Sequence, residues 1–429
     1  MAHGSTPNVV PDEFQSEIDR NFRWNFGINA TEGMLWWFGS SFFAPSVIMP
    51  LYVKHLTSNQ MLIGLVAAIA GAGWYIPQLF TASYTERLPK KKTLVVNVGL
   101  FTERLPILLM SLSALVFGAR QPRLALLLFF TTLLWHTLGT GVIAIAWQEM
   151  IARIIPVNYR GRMLGISVFG GTVLGVIGAT LAARILAAYP FPYNFALCFG
   201  MAFALIMGSW LLIAQTREPP MAGTKPVVPL ITYWRSLPKL LRRDRNFTAY
   251  LLSRLLAALS KIGLGFVVVY AVERWHLTDS QAGLYSTTML AGQALSNLLL
   301  GMLADRRGHK VVLQIAQGLG LLSMVAVLLV PSPIWMFVVF GALGVVGTAD
   351  LLSGIAIVME LAEPDNRAAY FGLANTVPGL FAAMAPLLGG WIAATGGYTL
   401  LFATAAAFSV FAWAALTWLV QEPRRCNSG

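Results

Sequence analysis

The run Gly301-Met302-Leu303-Ala304-Asp305-Arg306-Arg307-Gly308-His309-Lys310 has a counterpart earlier in the chain, Ala82-Ser83-Tyr84-Thr85-Glu86-Arg87-Leu88-Pro89-Lys90-Lys91. Acid, arginine and the closing basic pair align at one constant offset. A second match is independent of the first. Glu149 is followed by Pro156-Val157-Asn158-Tyr159-Arg160-Gly161, and Glu360 by Pro364-Asp365-Asn366-Arg367. All four runs are short polar interruptions between long apolar stretches. The chain therefore reads as one multi-helix unit used twice.

Composition agrees. Of the 429 residues, 57% are hydrophobic and only 11% charged, against roughly 25% charged in soluble domains. The mean hydropathy is +0.67. A bilayer takes up apolar surface that water would not, and a span needs about 20 apolar residues, leaving room for about twelve. Backbone groups in hydrocarbon must bond to one another, so spans are helices or closed barrels. The long unbroken apolar runs exclude a barrel, whose segments are short and alternating. The reading is an all-α membrane protein with twelve transmembrane helices in two pseudo-symmetric six-helix bundles.

The net charge of +12 is then a topology signal and does not point to nucleic acid. Lys54, Arg120, Arg123, Arg184 and Arg274 fall in one set of alternate loops, and Arg104, Arg254 and Lys261 fall within spans. The other Lys and Arg lie in the opposite loops and the tails. The positive-inside rule places both termini in the cytoplasm of a multi-pass cell-membrane protein. The expected domains are a cytoplasmic tail over 1–27, a six-helix bundle over 28–215, a Pro- and Arg-rich cytoplasmic linker over 216–246, a second bundle over 247–420, and a tail over 421–429. Cys198 and Cys426 give no disulfide or metal framework.

With these motifs in view, the sequence resembles the major facilitator superfamily. The Gly301–Lys310 run is similar to that family's signature loop after the second helix of a half. The first copy departs from it, with Ala82, Glu86 and Pro89 at the Gly, Asp and turn-Gly positions. Arg160-Gly161-Arg162 and Ala385-Pro386-Leu387-Leu388-Gly389-Gly390 also resemble family features. The resemblance implies alternating access, with the first, fourth, seventh and tenth helices lining a central cavity.

Two sets of residues follow. The loop residues Glu86, Arg87, Glu149, Arg160, Asp305, Arg306, Gly308, Glu360 and Arg367 are expected to form a cytoplasmic gate. Asp305 would face a helix N-terminus, where the dipole favours an anion, and Arg306 or Arg307 would pair with an acidic helix end such as Glu360. Gly308 would allow a turn that a β-carbon obstructs. A solvated basic loop that serves topology alone is the plainer alternative.

The second set lies at membrane depth, where an ionisable group costs several kcal/mol and faces a cavity or a partner. At 1.5 Å per residue, His136 is about 20 Å from Arg123 and 25 Å from Arg153, near mid-membrane. The resemblance places Glu32, His136, Arg254, Lys261 and Asp350 on the substrate and ion path, with Trp36 as a candidate stacking surface; for His136 a hydrogen-bonded packing role is an equal alternative to that of proton acceptor. Arg254 and Lys261 are seven apart and share a helix face. Two cations on one face need a counter-charge, so Asp350 is expected to pair with one of them until protonation or solute binding breaks the pair. A static pair that fixes helix packing is the alternative. Glu103 and Arg104, about 100° apart on an ideal helix, are read as structural bonds on a peripheral third helix. The glycines at 161, 165, 171, 175 and 178 make small-residue faces for close helix approach, and a contact between the halves is the expected use.

The function expected is a secondary transporter for a small organic solute, anionic or zwitterionic and proton-coupled. A multidrug or lipid-like efflux carrier and a non-transporting sensor of the same fold are the alternatives. No metal-ligand cluster, catalytic constellation or phosphate-cradling loop is visible, so neither enzyme activity nor a cofactor is expected. The partners are a small-molecule substrate, protons and membrane lipids, with the chain acting as a monomer.

Overall fold

The computed structural model describes residues 12–86, 88–220, 240–361 and 367–422. They are helical with no strand among them, and eleven continuous stretches are long and apolar enough to cross a membrane. The last stretch, Leu373–Leu419, lies mostly in a helix of 48 residues, Arg367–Ala414. A straight helix of that length would run about 70 Å, more than twice a bilayer core. Its contacts show that it doubles back. Tyr370 donates to Asp244 (2.7 Å), Tyr398 accepts from Gln60 (2.8 Å), and Gln421 bonds Asn246 (2.7 Å). Asp244 and Asn246 begin the seventh span on one face, and Gln60 begins the second span on the other. The reversal is at Gly397, at φ +75° and ψ 177°. Counted this way, the chain has twelve spans.

With an even number of spans, the described N- and C-terminal ends share a face, called here the terminal face. The first helix is continuous from Asp12 to Ser40, so residues 12–27, assigned from sequence to a tail, are helical. The first and seventh spans, equivalent in the two halves, are each broken. The first passes through a 3₁₀ turn at Ser41–Phe43 and a bend at Ala44 and Pro45 before the short helix Ile48–Leu56. The seventh runs Arg245–Leu259, a 3₁₀ turn at Ser260–Gly263, then Phe266–Trp275.

The halves meet through the second span against the eleventh, and the fifth against the eighth. Small residues permit both seams. A β-carbon on Gly64 would strike the Pro386 carbonyl, and one on Gly283 would press on Ala183. Of the fifth-span glycines, Gly175 faces Leu290 of the eighth span, in the inter-half role suggested by sequence, and two others face inward. Gly171 and Gly178 face Trp37, Phe38 and Ser41 of the first span, inside the same half. One apolar core draws residues from both halves on the far face, including Val53, Phe199, Phe266 and Phe402. Toward the terminal face there are separate cores. One belongs to the first half (Val95, Met150, Met163) and another to the second (Phe247, Val358, Tyr370). Among the described residues, the core shared by both halves thus lies on the far face, and the two cores named toward the terminal face each belong to one half.

Gly397→Ala places a side chain in a left-handed conformation, which costs about 1–2 kcal/mol, and should lower the melting temperature of detergent-purified protein. Gly318→Ala, mid-helix in open space, should leave it equal or slightly raised, since Ala is better by about 0.5–1 kcal/mol in a helix. Equal melting of both variants would mean that Gly397 carries no turn.

Candidate functional site: charged groups at membrane depth

In the second half, Asp350 of the tenth span accepts from Arg254 Nη1 at 2.6 Å through Oδ1 and meets Lys261 Nζ at 2.5 Å through Oδ2. Both cations expected from their spacing therefore reach the same carboxylate. Gly354, one turn beyond Asp350, leaves the space that the Arg254 guanidinium fills. The carboxylate is buried, whereas the Lys261 side chain is 40% exposed. Lys261 sits in the 3₁₀ turn that breaks the seventh span. The triad carries a net charge of +1, and the accessible part of that charge is on Lys261.

The first half has a cavity of about 290 Å³, lined by Glu32, Glu103, Arg104, Thr140 and four tryptophans, Trp36, Trp37, Trp74 and Trp147. Leu351 of the tenth span, next to Asp350, closes its far wall. Glu32 is 5% exposed and accepts from Ser209 Oγ (2.9 Å). Glu103 accepts from Trp36 Nε1 (3.1 Å), from Thr140 Oγ1 (3.5 Å) and from Arg104 Nη1.

The Glu103–Arg104 contact corrects the sequence reading. Adjacent residues on an ideal helix diverge, but here the third span opens with two successive π turns, Leu94–Val98 and Leu100–Arg104. The wider turns change the angle between neighbours and bring both side chains to the cavity. The third span is thus part of the site wall, and Glu103 and Arg104 are site residues that helical-wheel reasoning misses. π turns of this kind are often found at functional sites.

His136 is placed apart from the cavity. Its Nδ1 donates to the Glu103 carbonyl oxygen (2.8 Å), and its ring packs edge-on against Phe43 (5.4 Å). That bond steadies the π turn from behind. The loop residues of the first half pair inside their own half. Glu149 meets Lys91 Nζ (3.0 Å), and Arg160 donates to the Ile155 and Ala152 carbonyls that end the fourth span. In the second half, Glu360 lies 3.9 Å from His309 Nε2, Arg306 is exposed, and Gly308 turns the chain at φ +90°. The side chains of Glu86, Asp305 and Arg367, and the whole of Arg87, lie outside the described residues.

The far face carries ion pairs that join the halves. His55 Nε2 meets Asp279 Oδ2 at 2.6 Å, and Lys54 meets Glu273 at 3.5 Å. They tie the short outer segments of the first and seventh spans, and the start of the eighth, into one lid over the shared apolar core. Sequence reading counted Lys54 as a loop charge and did not single out His55, Glu273 or Asp279. Among the described residues, no group of three or more His, Cys, Asp or Glu could hold a metal ion.

Comparison with known proteins places this architecture. Residues 250–428 match the sequence model of the Major Facilitator Superfamily. An uncharacterized MFS-type transporter of Methanocaldococcus jannaschii is 23% identical over 357 residues, covering 80% of this chain and 83% of that one. Solved structures extend the match to both halves. The chain overlays a D-xylose–proton symporter with a TM-score of 0.69 (14% identity, 93% of this chain and 98% of that one). The nucleoside transporter NupG gives 0.66 (12% identity, 92% and 98%). A POT family transporter in complex with 5-aminolevulinic acid gives 0.70 (14% identity, 91% and 94%). The second half of the chain thus matches the Major Facilitator Superfamily model, and both halves share the fold of these transporters. Within the superfamily fold, Glu32 and Trp36 come from the first helix, Arg254 and Lys261 from the seventh, and Asp350 from the tenth. The third helix adds Glu103 and Arg104.

Removing one member of a buried ion pair leaves the others uncompensated, at a cost of about 2 kcal/mol or more when one partner is partly hydrated. Asp350→Asn should therefore lower the melting temperature, and adding Lys261→Met should restore part of the loss. No recovery in the double variant would show that Lys261 does not depend on Asp350.

Proposed function

We propose that this protein is a secondary transporter that moves a small zwitterionic or anionic organic solute by alternating access, coupled to protons. The observation that carries the reading is the Arg254–Asp350–Lys261 triad, which holds one surplus positive charge at membrane depth on a half-exposed ammonium. Ionisable groups at such depth face a cavity or a partner, and Lys261 has Asp350 as its partner while its side chain stays 40% exposed. A solute carboxylate that engages Lys261 leaves Asp350 with Arg254 alone. The freed edge of Asp350 can then take a proton, so solute and proton enter together. The relatives named above include a symporter of a sugar with protons and a carrier bound to an amino acid, and both substrate types fit a charged or strongly polar cavity.

The cycle needs two gates. The far-face pairs His55–Asp279 and Lys54–Glu273 close one side, and the parted cores leave the other open. With both termini in the cytoplasm, as the distribution of basic residues requires, this arrangement faces inward. The loop residues Glu86, Arg87, Asp305, Arg306 and Arg367 would latch the cytoplasmic side in the opposite state, with Glu149, Arg160, Gly308 and Glu360 shaping the helix ends around them.

Purified protein in proteoliposomes with an internal pH dye tests the coupling against pooled zwitterions, organic anions and cationic drugs. Solute-dependent acidification by the zwitterion or anion pool is expected, lost in Asp350→Asn while solute exchange persists. Proton flux retained at the wild-type rate in Asp350→Asn would refute the coupling role. Absence of flux for every pool with folded protein would favour the non-transporting sensor.

For the gate, Asp279→Asn combined with Glu273→Gln should weaken far-face closure. A cysteine introduced on the far-face rim should then react with a membrane-impermeant thiol reagent several-fold faster. Unchanged labelling would mean that the apolar core closes this face alone.

A further inference from the structure

The first-half cavity holds two carboxylates, Glu32 and Glu103, against one guanidinium, Arg104. Arg104 makes its ion pair with Glu103 and acts on Glu32 only at longer range. Glu32 has no ion-pair partner within 4 Å among the described residues, and its hydrogen bonds come from neutral groups, the Ser209 hydroxyl and the Trp147 indole. An isolated buried carboxylate is costly unless a proton or a cation joins it. The Arg104 Nε, in a side chain only 2% exposed, is also buried without a hydrogen-bond partner. The cavity is therefore short of one positive charge and has a polar edge left unsatisfied.

Its walls narrow what would supply that charge. Trp36 and Trp37 stand edge to face (5.3 Å, 87°), with Trp74 and Trp147 completing the lining. Indole faces attract cations, most strongly when water is excluded. A small metal ion would find few oxygens and much indole here, whereas an organic ammonium on an apolar body matches both features. The glycines that bring the fifth span against Trp37 hold this wall in place.

We propose that the first-half cavity is the subsite for the ammonium group and apolar body of the solute, with Glu32 as the counter-ion and the tryptophans as the surrounding cage. The assignment rests on the carrier reading above and adds the substrate class to it: an amphipathic amino compound whose cationic end lies in the first half and whose anionic end meets Lys261 in the second. The −1 of one half and the +1 of the other are complementary to a zwitterion.

The test is equilibrium binding to the full-length protein in detergent. The probes are phenethylammonium, phenylalanine, phenylethanol and phenylpropionate, which have similar bodies and different charges. Intrinsic tryptophan fluorescence and the shift in melting temperature are the readouts. The two probes with an ammonium group should bind at least ten-fold tighter than phenylethanol. Glu32→Gln should erase that preference, Glu32→Asp should keep part of it, and Trp37→Ala should weaken ammonium binding several-fold. Phenylethanol or phenylpropionate binding as tightly as the ammonium probes would overturn the assignment, as would an unchanged preference in Glu32→Gln. If Glu32→Gln proves unstable on size exclusion, the probe ranking in the wild type and the Trp37→Ala effect decide. Flux distinguishes this proposal from the carrier reading. Ammonium-selective binding without any flux keeps the subsite and rejects the carrier. Flux of solutes lacking an amine, with no ammonium binding, does the reverse.

Discussion

Hydrocarbon offers no water to a charge, so each ionised side chain at membrane depth must be neutralised by the protein or by what the protein binds. The two halves meet that constraint unequally. In the second half, one carboxylate is shared by two cations. In the first, two carboxylates share one cation. The ionisable groups are thus matched two cations to one carboxylate in one half and two carboxylates to one cation in the other, and each set is gathered inside its bundle, away from lipid.

Backbone irregularities make this placement possible. The 3₁₀ turn at Ser260–Gly263 carries Lys261, and the π turns at Leu94–Arg104 carry Glu103 and Arg104. Irregular backbone in a membrane is tolerated where protein or a cavity covers it. His136, bonded to the carbonyl of Glu103, is one such cover. A regular third span would direct Glu103 and Arg104 to different surroundings and lose the short link to Trp36.

Much of this was legible in the sequence because it rests on periodicity. Hydropathy and the repeated loop motif reveal the helix count, and the seven-residue spacing of Arg254 and Lys261 correctly puts both on the face that meets Asp350. What escaped depends on departures from ideal geometry or on distant pairing. The π turns have no local sequence signature, so Glu103 and Arg104 were projected onto the wrong wheel. His55 and Asp279 are far apart in the chain and ordinary in their own loops, and only the meeting of the halves makes them a pair. For His136, depth in the membrane left a path role and a packing role open, and the hydrogen bond to the Glu103 carbonyl, which no sequence pattern announces, is of the packing kind.

The breaks in the first and seventh spans have a kinetic consequence. Their outer segments, Ile48–Leu56 and Phe266–Trp275, are each about 15 Å long by helical rise, half the thickness of the hydrocarbon. They can tilt on their joints while the longer inner segments remain packed in their bundles. In the alternating-access cycle proposed above, the passage between the two exposed states would divide into a small local step and a larger rigid-body step, with a conformer shut on both sides as the resting point between them.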